Sequence, residues 1–291
     1  MNADLDRWRA WVGREETAED VIGLDRVAAM QALLDRDEGL KSGDPLPPLW
    51  HWLYFWQAAA QSALGPDGHA ARGEFLPPIA LPRRMWAGSR LSFPRPLPIG
   101  AAVTRRSTIT SVEVKRGRSG RLAFVTVRHA IAAQGSGGGA VCIEEEHDIV
   151  YREAPRGDRP PPEDEPAPQL APAAAAWRRE IRPDPVLLFR YSALTFNGHR
   201  IHYDRPYVTG VEGYPGLVVH GPLLATLMVD LVRRERPRER IAAFQFRARA
   251  PIFDSAPFTV AGAPSRDGES AALWVAGPKG ELAMQGSVEL G

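Results

Sequence analysis

Seven histidines are spread over this sequence of 291 residues, and two of them, His199 and His202, lie in one dense polar segment. The segment comprises residues 191–204 and also contains Asn197 and Asp204. Histidine is the side chain best suited to exchange protons near neutral pH. The segment is therefore the first candidate for acid–base chemistry, with His202 as its leading residue.

Metal binding is an alternative use of this segment. His199 and His202 are three positions apart, which on a helix would place them on one face, and Asp204 follows them. Gly198 weakens a helix, however, and no HExxH pattern supports a zinc site. The sequence also lacks a G-x-S-x-G nucleophile elbow, a P-loop and a Rossmann glycine fingerprint. We therefore predict acid–base chemistry without a metal or a cofactor.

A helix start follows the polar segment at His220, Gly221 and Pro222. Proline suits the first turn of a helix, so this order indicates where the helix begins. A helix N-terminus presents unpaired N–H groups and the positive end of the dipole, and it can hold a developing oxyanion. Because Pro222 has no N–H, Gly221 is the better donor. The alternative is that Gly221 is only a close-packing turn residue.

The elements that would position these residues follow a simple order. Residues 184–193 have helix-like spacing before the polar segment, and residues 222–231 form a strongly apolar helix after it. Strand-like runs then continue to the end of the sequence. These runs comprise residues 242–250, 258–263, 271–277 and 282–290.

The front half repeats this order. Thr17 and Asp20 resemble a capping box, residues 27–34 have helix-compatible spacing, and residues 49–64 read as an aromatic-rich apolar helix. Residues 93–97 also resemble residues 248–252, each just before a strand-like run. The repetition indicates two duplicated α+β units, each with a sheet around one apolar helix. The strand-like runs of the front half comprise residues 90–93, 102–114, 122–132 and 140–151.

Composition limits the remaining classes of protein. A hydrophobic fraction of 44% and a charged fraction of 24% are ordinary for a globular protein. The formal net charge of +1 gives no electrostatic reason to expect nucleic acid or an anionic membrane. The single cysteine, Cys142, excludes an intrachain disulfide, and we expect it to be a plain strand residue. An acidic N-terminus without a signal peptide, and no run of ~18 apolar residues, predict a cytoplasmic protein.

The polar segment and the helix start together resemble a known family of enzymes. A hydratase motif of that family runs Ser-Gly-Asp-x-Asn-Pro-x-His, and residues 195–202 keep the offset of five between its acid position and its final histidine. Residues 219–224 match the start of its central helix. The sequence therefore resembles the MaoC-like enoyl-CoA hydratases and hydroxyacyl-thioester dehydratases.

In detail, the resemblance is to the two-domain branch of that family. This branch includes type 2 hydroxyacyl-thioester dehydratases, itaconyl-CoA hydratases and 3-methylfumaryl-CoA (mesaconyl-type) hydratases. Residues 189–197 and 200–204 are distinctive of the branch, and residues 84–88 extend the similarity into the front half. The resemblance implies an α+β double hot dog fold, with two tandem antiparallel sheets each wrapped around a central helix.

The same resemblance implies a division of labour along the chain. We expect a non-catalytic hot dog domain at residues 1–152, a Pro-rich linker at residues 153–174 and a catalytic hot dog domain at residues 175–291. The front half has no histidine that corresponds to His202. It would complete a pseudo-dimer and shape the acyl pocket, and the whole chain would form a homodimer.

Roles for the site residues come from the matched positions. His202 is the implied base and acid on water, and Gly221 is the implied donor to the thioester carbonyl. Asn197 stands where single-domain relatives have Asp, and an amide cannot take a proton. We hypothesise that His202 alone shuttles the proton while Asn197 orients the water, and Asp204 could instead tune His202. The other predicted substrate-binding residues are Arg190, Arg200, Thr195, His220 and Asp204.

The implied reaction is the addition of water to an enoyl-CoA, or its reverse. Arg190 and Arg200 could pair with a free carboxylate, so a dicarboxylate-derived thioester such as 3-methylfumaryl-CoA or itaconyl-CoA is the first choice. The alternatives are an (R)-3-hydroxyacyl-thioester dehydratase acting on fatty chains, an acyl-CoA thioesterase and a non-catalytic binding protein for acyl thioesters. The carrier of the acyl group is CoA or an acyl-carrier protein.

Overall fold

The computed structural model describes residues 7–70, 75–117, 120–134, 139–153 and 167–291. Within those residues, ten strands pair antiparallel into one sheet. The front half contributes β1 (Glu15–Val21), β2 (Arg83–Ser92), β3 (Ala102–Gly117), β4 (Gly120–Ala133) and β5 (Val141–Arg152). The back half contributes β6 (Trp177–Ile181), β7 (Ile241–Ala248), β8 (Phe258–Pro264), β9 (Ser270–Ala276) and β10 (Leu282–Leu290).

Four α-helices and three short 3₁₀ helices connect the described strands. The α-helices are α1 (Leu24–Leu33), α2 (Pro185–Thr195), α3 (Arg205–Gly210) and α4 (Gly221–Glu235). The 3₁₀ helices are Trp50–Leu53, Gln61–Ala63 and Arg200–His202. No helix of the described chain is both long and apolar enough to cross a membrane.

The strand order reveals a pseudo-twofold arrangement of the two halves. The order is β1-β3-β4-β5-β2-β7-β10-β9-β8-β6, so each front strand has a counterpart at the mirrored position. β2 and β7 pair at the centre, and a Cβ on Gly88 would overlap the carbonyl oxygen of Phe246 there. This central pairing joins the two tandem sheets of the predicted fold edge to edge into one continuous sheet.

The back half wraps around α4, as predicted. Residues 223–232 of this helix are all buried, and the helix packs against β6, β8, β9 and β10. Asp184 caps α2 by accepting a hydrogen bond of 2.7 Å from the N–H of Leu187. α2 ends at Thr195, and the next residue, Phe196, has a φ of 50° that turns the chain into the polar segment. α2 and α4 thus hold the polar segment and the helix tip beside each other.

The front half has no counterpart of α4 among its described residues, and the predicted helix at residues 49–64 is wrong. Leu49 and Phe55 adopt φ values of 71° and 59°, which interrupt a right-handed helix. Leu53 and Tyr54, which lie between these two residues, are buried in the core. Aromatic residues favour helices weakly, and here tertiary packing decides the backbone. The inner face of the front sheet is consequently left open to a cleft.

A second helix signal in the front half is also wrong. Thr17 and Asp20 lie in β1, which pairs with β3 at the edge of the sheet and alternates in exposure along its length. The helix predicted at residues 27–34 is confirmed by α1, and Cys142 is a buried residue of β5. The strand-like runs of both halves are confirmed, whereas β1 and β6 were not predicted.

Most of the predicted linker, residues 154–166, lies outside the described residues.

Candidate active site

A large cleft lies between the open face of the front sheet and the tip of α4. Its volume is about 2270 Å³, which exceeds the ~300–1,000 Å³ of a common small-molecule pocket. Residues from both halves line it, and they include His202, Asn197 and Gly221 of the back half. The structure therefore brings these three predicted residues to one cavity.

His202 lies at the end of the 3₁₀ helix Arg200–His202 with its ring buried beside the cleft. Its Nδ1 donates a hydrogen bond of 2.7 Å to the carbonyl oxygen of Val218, which leaves the lone pair on Nε2. Nε2 has no hydrogen-bond partner in the described part of the chain. Burial lowers the pKa of His202 to about 4, against the opposing effect of the Val218 carbonyl. The neutral ring is therefore prepared to accept a proton.

His220 supports the ring of His202 from behind. The two rings stack with centroids 3.7 Å apart, and Nε2 of His220 lies 2.9 Å from the hydroxyl of Ser192. His220 is completely buried and does not line the cleft. Burial holds its pKa well below the ordinary value, so the ring stays neutral. Its predicted contact with substrate remains a prediction, whereas its contact with His202 is direct.

Gly221 occupies the first turn of α4, where backbone N–H groups have no acceptor within the helix. A Cβ on Gly221 would meet no protein atom within 4 Å, and the residue does not have a left-handed φ. Neither packing nor backbone conformation therefore requires glycine here. Gly221 lines the cleft, which favours a donor to substrate over a packing role.

Asn197 and Thr195 line the cleft beside His202. The side-chain oxygen of Asn197 accepts a hydrogen bond of 3.0 Å from the N–H of His199, and the hydroxyl of Thr195 donates to the carbonyl of Tyr191 at 2.8 Å. These bonds shape the turn after α2. They leave the amide nitrogen of Asn197 to orient a water molecule, which stays a prediction.

Arg200 and Asp204 form a structural pair rather than a free binding group. Nη2 of Arg200 lies 2.7 Å from Oδ2 of Asp204, and its Nη1 donates to the carbonyl of Pro66 at 2.9 Å. Asp204 also caps α3 by accepting from the N–H of Tyr207 at 3.1 Å. The Arg200 guanidinium lowers the pKa of Asp204. Asp204 makes no contact with His202 among the described residues, so its proximity in sequence does not bring it to the ring.

Arg190 lies apart from the cleft. It lines a smaller depression with Asp184 and Leu33, while the neighbouring Tyr191 and Ser192 point to the cleft side of α2. The predicted pairing of Arg190 with a substrate carboxylate therefore receives no support from its position.

A loop from the front half supplies two site residues that the sequence did not reveal. Nδ1 of His69 lies 3.0 Å from Oδ2 of Asp67, and the ring of His69 lies 4.1 Å from that of His199. The rings of His199 and His202 are in turn 5.4 Å apart. The only sequence clue was the turn-forming Gly-Pro-Asp-Gly run before His69, which carries no information about its long-range partner.

One set of residues among the described ranges has donor atoms spaced for a metal ion. These atoms belong to Asp67, His69 and His199 and lie within 4.8 Å of one another. The carboxylate of Asp67 is already bound to both the backbone N–H and Nδ1 of His69. These contacts satisfy the carboxylate without an ion, so the geometry favours a hydrogen-bonded dyad.

The front-half wall of the cleft is polar and cationic. Buried Glu145 accepts hydrogen bonds from Trp52 and Ser89 at 3.0 and 2.8 Å and thereby fixes the wall. Arg84 lines the cleft and has no hydrogen-bond or ion-pair partner among the described residues. Arg105 also lines it, with an ion pair of 3.5 Å to Glu16 and a buried Nε that lacks a partner there.

Comparison with known proteins identifies the family of this chain. The family model of hydroxyacyl-thioester dehydratase type 2 matches residues 49–254. The chain belongs to this family. It is 50% identical over 285 residues to the mesaconyl-C(4)-CoA hydratase of Chloroflexus aurantiacus, and the match covers 98% of each protein. The predicted MaoC-like resemblance and the predicted hydro-lyase class are therefore confirmed for this type 2 dehydratase.

Solved structures confirm the fold of this type 2 dehydratase. A MaoC-like dehydratase from Phytophthora capsici superimposes with a TM-score of 0.68 at 14% identity, with 98% of both chains covered. A protein from Mycobacterium tuberculosis described as a double hot dog superimposes with a TM-score of 0.56 at 15% identity, with 96% of both chains covered. The predicted fold class is correct, although within the described residues only the back half retains the long central helix.

Proposed function

We propose that this protein adds water to the double bond of a dicarboxylate-derived enoyl-CoA such as 3-methylfumaryl-CoA. The observation that carries the proposal is the free Nε2 of neutral His202 in the same cleft as the N–H of Gly221. The relative from C. aurantiacus, which is named a mesaconyl-C(4)-CoA hydratase, supports this class of substrate.

In the proposed reaction, His202 acts on the water molecule and Gly221 acts on the thioester oxygen. Nε2 of His202 removes a proton from water while the oxygen bonds to the β-carbon of the enoyl thioester. The π electrons move toward the thioester, and the N–H of Gly221 stabilises the resulting enolate oxygen. Asn197 orients the water. The reverse sequence would release water from a β-hydroxyacyl thioester.

The free carboxylate of the acyl group requires a cation in the cleft. Arg200 is engaged by Asp204 and Pro66, and Arg190 lines a different depression. Arg84 is the better counter-ion, because it lines the cleft without a partner among the described residues. Arg105 adds positive charge to the same wall. We therefore propose that Arg84, and not Arg190 or Arg200, binds the free carboxylate of the substrate.

A panel of acyl-CoA substrates tests the proposal. The conjugated thioester absorbance is followed for 3-methylfumaryl-CoA and crotonyl-CoA, product formation is followed by chromatography for itaconyl-CoA, and free CoA is measured in the same reactions. We expect the highest kcat/KM with 3-methylfumaryl-CoA and no release of CoA. Equal or faster hydration of crotonyl-CoA would favour a dehydratase acting on fatty chains, and CoA release would indicate a thioesterase.

Location and assembly form a separate part of the proposal. We place the enzyme in the cytoplasm as a homodimer that acts on CoA esters. The single cysteine supports a reducing compartment, and no described helix could cross a membrane. Light scattering on the purified chain tests the homodimer, and comparison of CoA with acyl-carrier thioesters tests the carrier.

A further inference from the structure

We propose that Asp67 and His69 form the second acid–base group of the active site, with His69 donating the proton that the α-carbon receives. This inference rests on the proposed hydration. It assigns a catalytic role to the front half, which the sequence predicts to be non-catalytic.

The loop that contains this pair, residues 65–70, is firmly docked on the back half. The N–H of Arg200 donates to the carbonyl of Asp67 at 2.9 Å, and Nη1 of Arg200 donates to the carbonyl of Pro66 at 2.9 Å. Gly68 has a φ of +86°, and a Cβ there would overlap the carbonyl oxygen of Gly198. Such a close approach requires glycine. The loop is therefore built to meet the polar segment.

The pair has the geometry of a carboxylate that orients an imidazole. Oδ2 of Asp67 lies 3.0 Å from Nδ1 of His69, while its Oδ1 accepts from the backbone N–H of His69 at 3.1 Å. The hydrogen bonds from His69 hold the pKa of Asp67 well below its ordinary value, so the carboxylate stays ionised. With Nδ1 bound to the carboxylate, Nε2 of His69 is left to exchange a proton in the cleft.

A second group would give the α-carbon its proton from a residue other than His202, which would otherwise carry the proton from water to carbon alone. Hydration removes a proton from water and adds a proton to the α-carbon. Asn197 lines the cleft beside His202, but its amide cannot supply the second proton. The ring of His69 is joined to that of His202 through His199, with centroid distances of 4.1 and 5.4 Å.

The proposed step balances in atoms and charge. Water gives one proton to Nε2 of His202, and its oxygen forms the bond to the β-carbon. The electron pair of the enolate then takes the Nε2 proton of the His69 imidazolium and forms the α-C–H bond. His202 has gained one proton and His69 has lost one. Transfer through His199 or solvent returns the proton and resets both residues.

The test uses the full-length enzyme and the enoyl-CoA of the panel that the wild type hydrates fastest. We expect His69→Gln to lower kcat by about 100-fold, the lower end of the usual contribution of an acid–base group. Added imidazole should raise the rate of His69→Ala at least about tenfold, because the cleft admits a small molecule that can replace the missing ring. Asp67→Asn should lower kcat without changing KM, and imidazole should not rescue it.

Asp267→Asn is the matched control. Asp267 accepts from the backbone N–H two residues later, as Asp67 does, but it lies in the β8–β9 turn away from the cleft. This variant should keep the wild-type rate, and all variants should remain folded at the assay temperature. Full activity of His69→Gln, absence of imidazole rescue in His69→Ala, or loss of wild-type activity in EDTA would each overturn the assignment. A wild type inactive on every enoyl-CoA would instead remove the proposed function.

Discussion

His202 and Val218 are joined by a hydrogen bond of 2.7 Å from Nδ1 of the ring to the main-chain carbonyl. The N–H of Val218 returns a bond of 3.0 Å to the carbonyl of Ile201, the neighbour of His202. The ring and its backbone are therefore held by the same residue just before α4. This reciprocal contact selects Nε2 as the base and sets its direction relative to the helix tip.

Replacement of His202 should abolish turnover without unfolding the protein. We expect His202→Gln to lower kcat by about 10²–10⁴-fold, since the amide cannot accept the proton of water. Steady-state hydration assays measure the effect, and thermal unfolding monitors the fold. Retention of about half the wild-type rate would mean that the front half contains an independent site, against the predicted division of labour.

Gly221→Ala separates substrate binding from packing. A Cβ at this position meets no protein atom within 4 Å, and alanine favours helices more than glycine by ~0.5–1 kcal/mol, so stability should not fall. The methyl group would occupy the approach of the thioester oxygen, and we expect kcat/KM to fall at least about tenfold.

Gly210→Ala provides the control for this substitution. Gly210 is the last residue of α3 and does not line the cleft, and a Cβ there would also meet no protein atom within 4 Å. This variant should retain both stability and activity. Wild-type kcat/KM in Gly221→Ala would contradict the donor role of the helix tip.

The sequence predicts those parts of the site that lie in one continuous stretch. His202 and Gly221 could be identified because an offset of five and a Gly-Pro helix start are local patterns. α4 could be predicted because its apolar run is long and is buried on all sides. Each of these features is determined by neighbouring residues.

The remaining parts depend on contacts between distant residues. His69 becomes a site residue only because Arg200 and Gly198 hold its loop, and nothing near position 69 encodes that partner. The aromatic run at residues 49–64 has helical composition, yet Trp52 is held by Glu145, 93 positions away in sequence. Burial of Trp50, Tyr54 and Phe55 in the core outweighs a weak preference for helix.

Arg84→Gln should change the choice of substrate rather than the chemistry. A hydrogen bond to a charged group contributes ~1.5–3 kcal/mol, so kcat/KM for 3-methylfumaryl-CoA should fall about 10–150-fold. Hydration of crotonyl-CoA, which has no second carboxylate, should change little. Arg90→Gln is the control, because Arg90 lies on the same strand but is exposed and pairs with Glu146 and Asp148. Equal losses on both substrates would contradict a carboxylate contact.

Stability should fall as the pH decreases from about 6.5 toward 4. Burial lowers the pKa of His202 and His147 to about 4 and that of His129 to about 3, from an ordinary value of 6.5. In this range the histidines are protonated in the unfolded chain but neutral in the folded chain. Each of them therefore favours unfolding as the pH falls. The contribution of these histidines to the free energy of unfolding is therefore complete above about pH 6.5 and is lost progressively below it.

Two hydrogen-bonded carboxylates extend the same trend to lower pH. Hydrogen bonds hold the pKa of Asp67 below its ordinary value, and those from His51 do so for Glu145 against the larger opposing effect of burial. Their stabilisation is present above the ordinary carboxyl pKa values of 3.8 and 4.5 and disappears below them. Urea unfolding between pH 8 and about 5.5 measures the histidine part, because the carboxyl groups stay ionised in both the folded and the unfolded chain over that range. His147→Gln should flatten this dependence, because one titrating group is removed, whereas a slope equal to that of the wild type would show that His147 is not buried as a neutral ring.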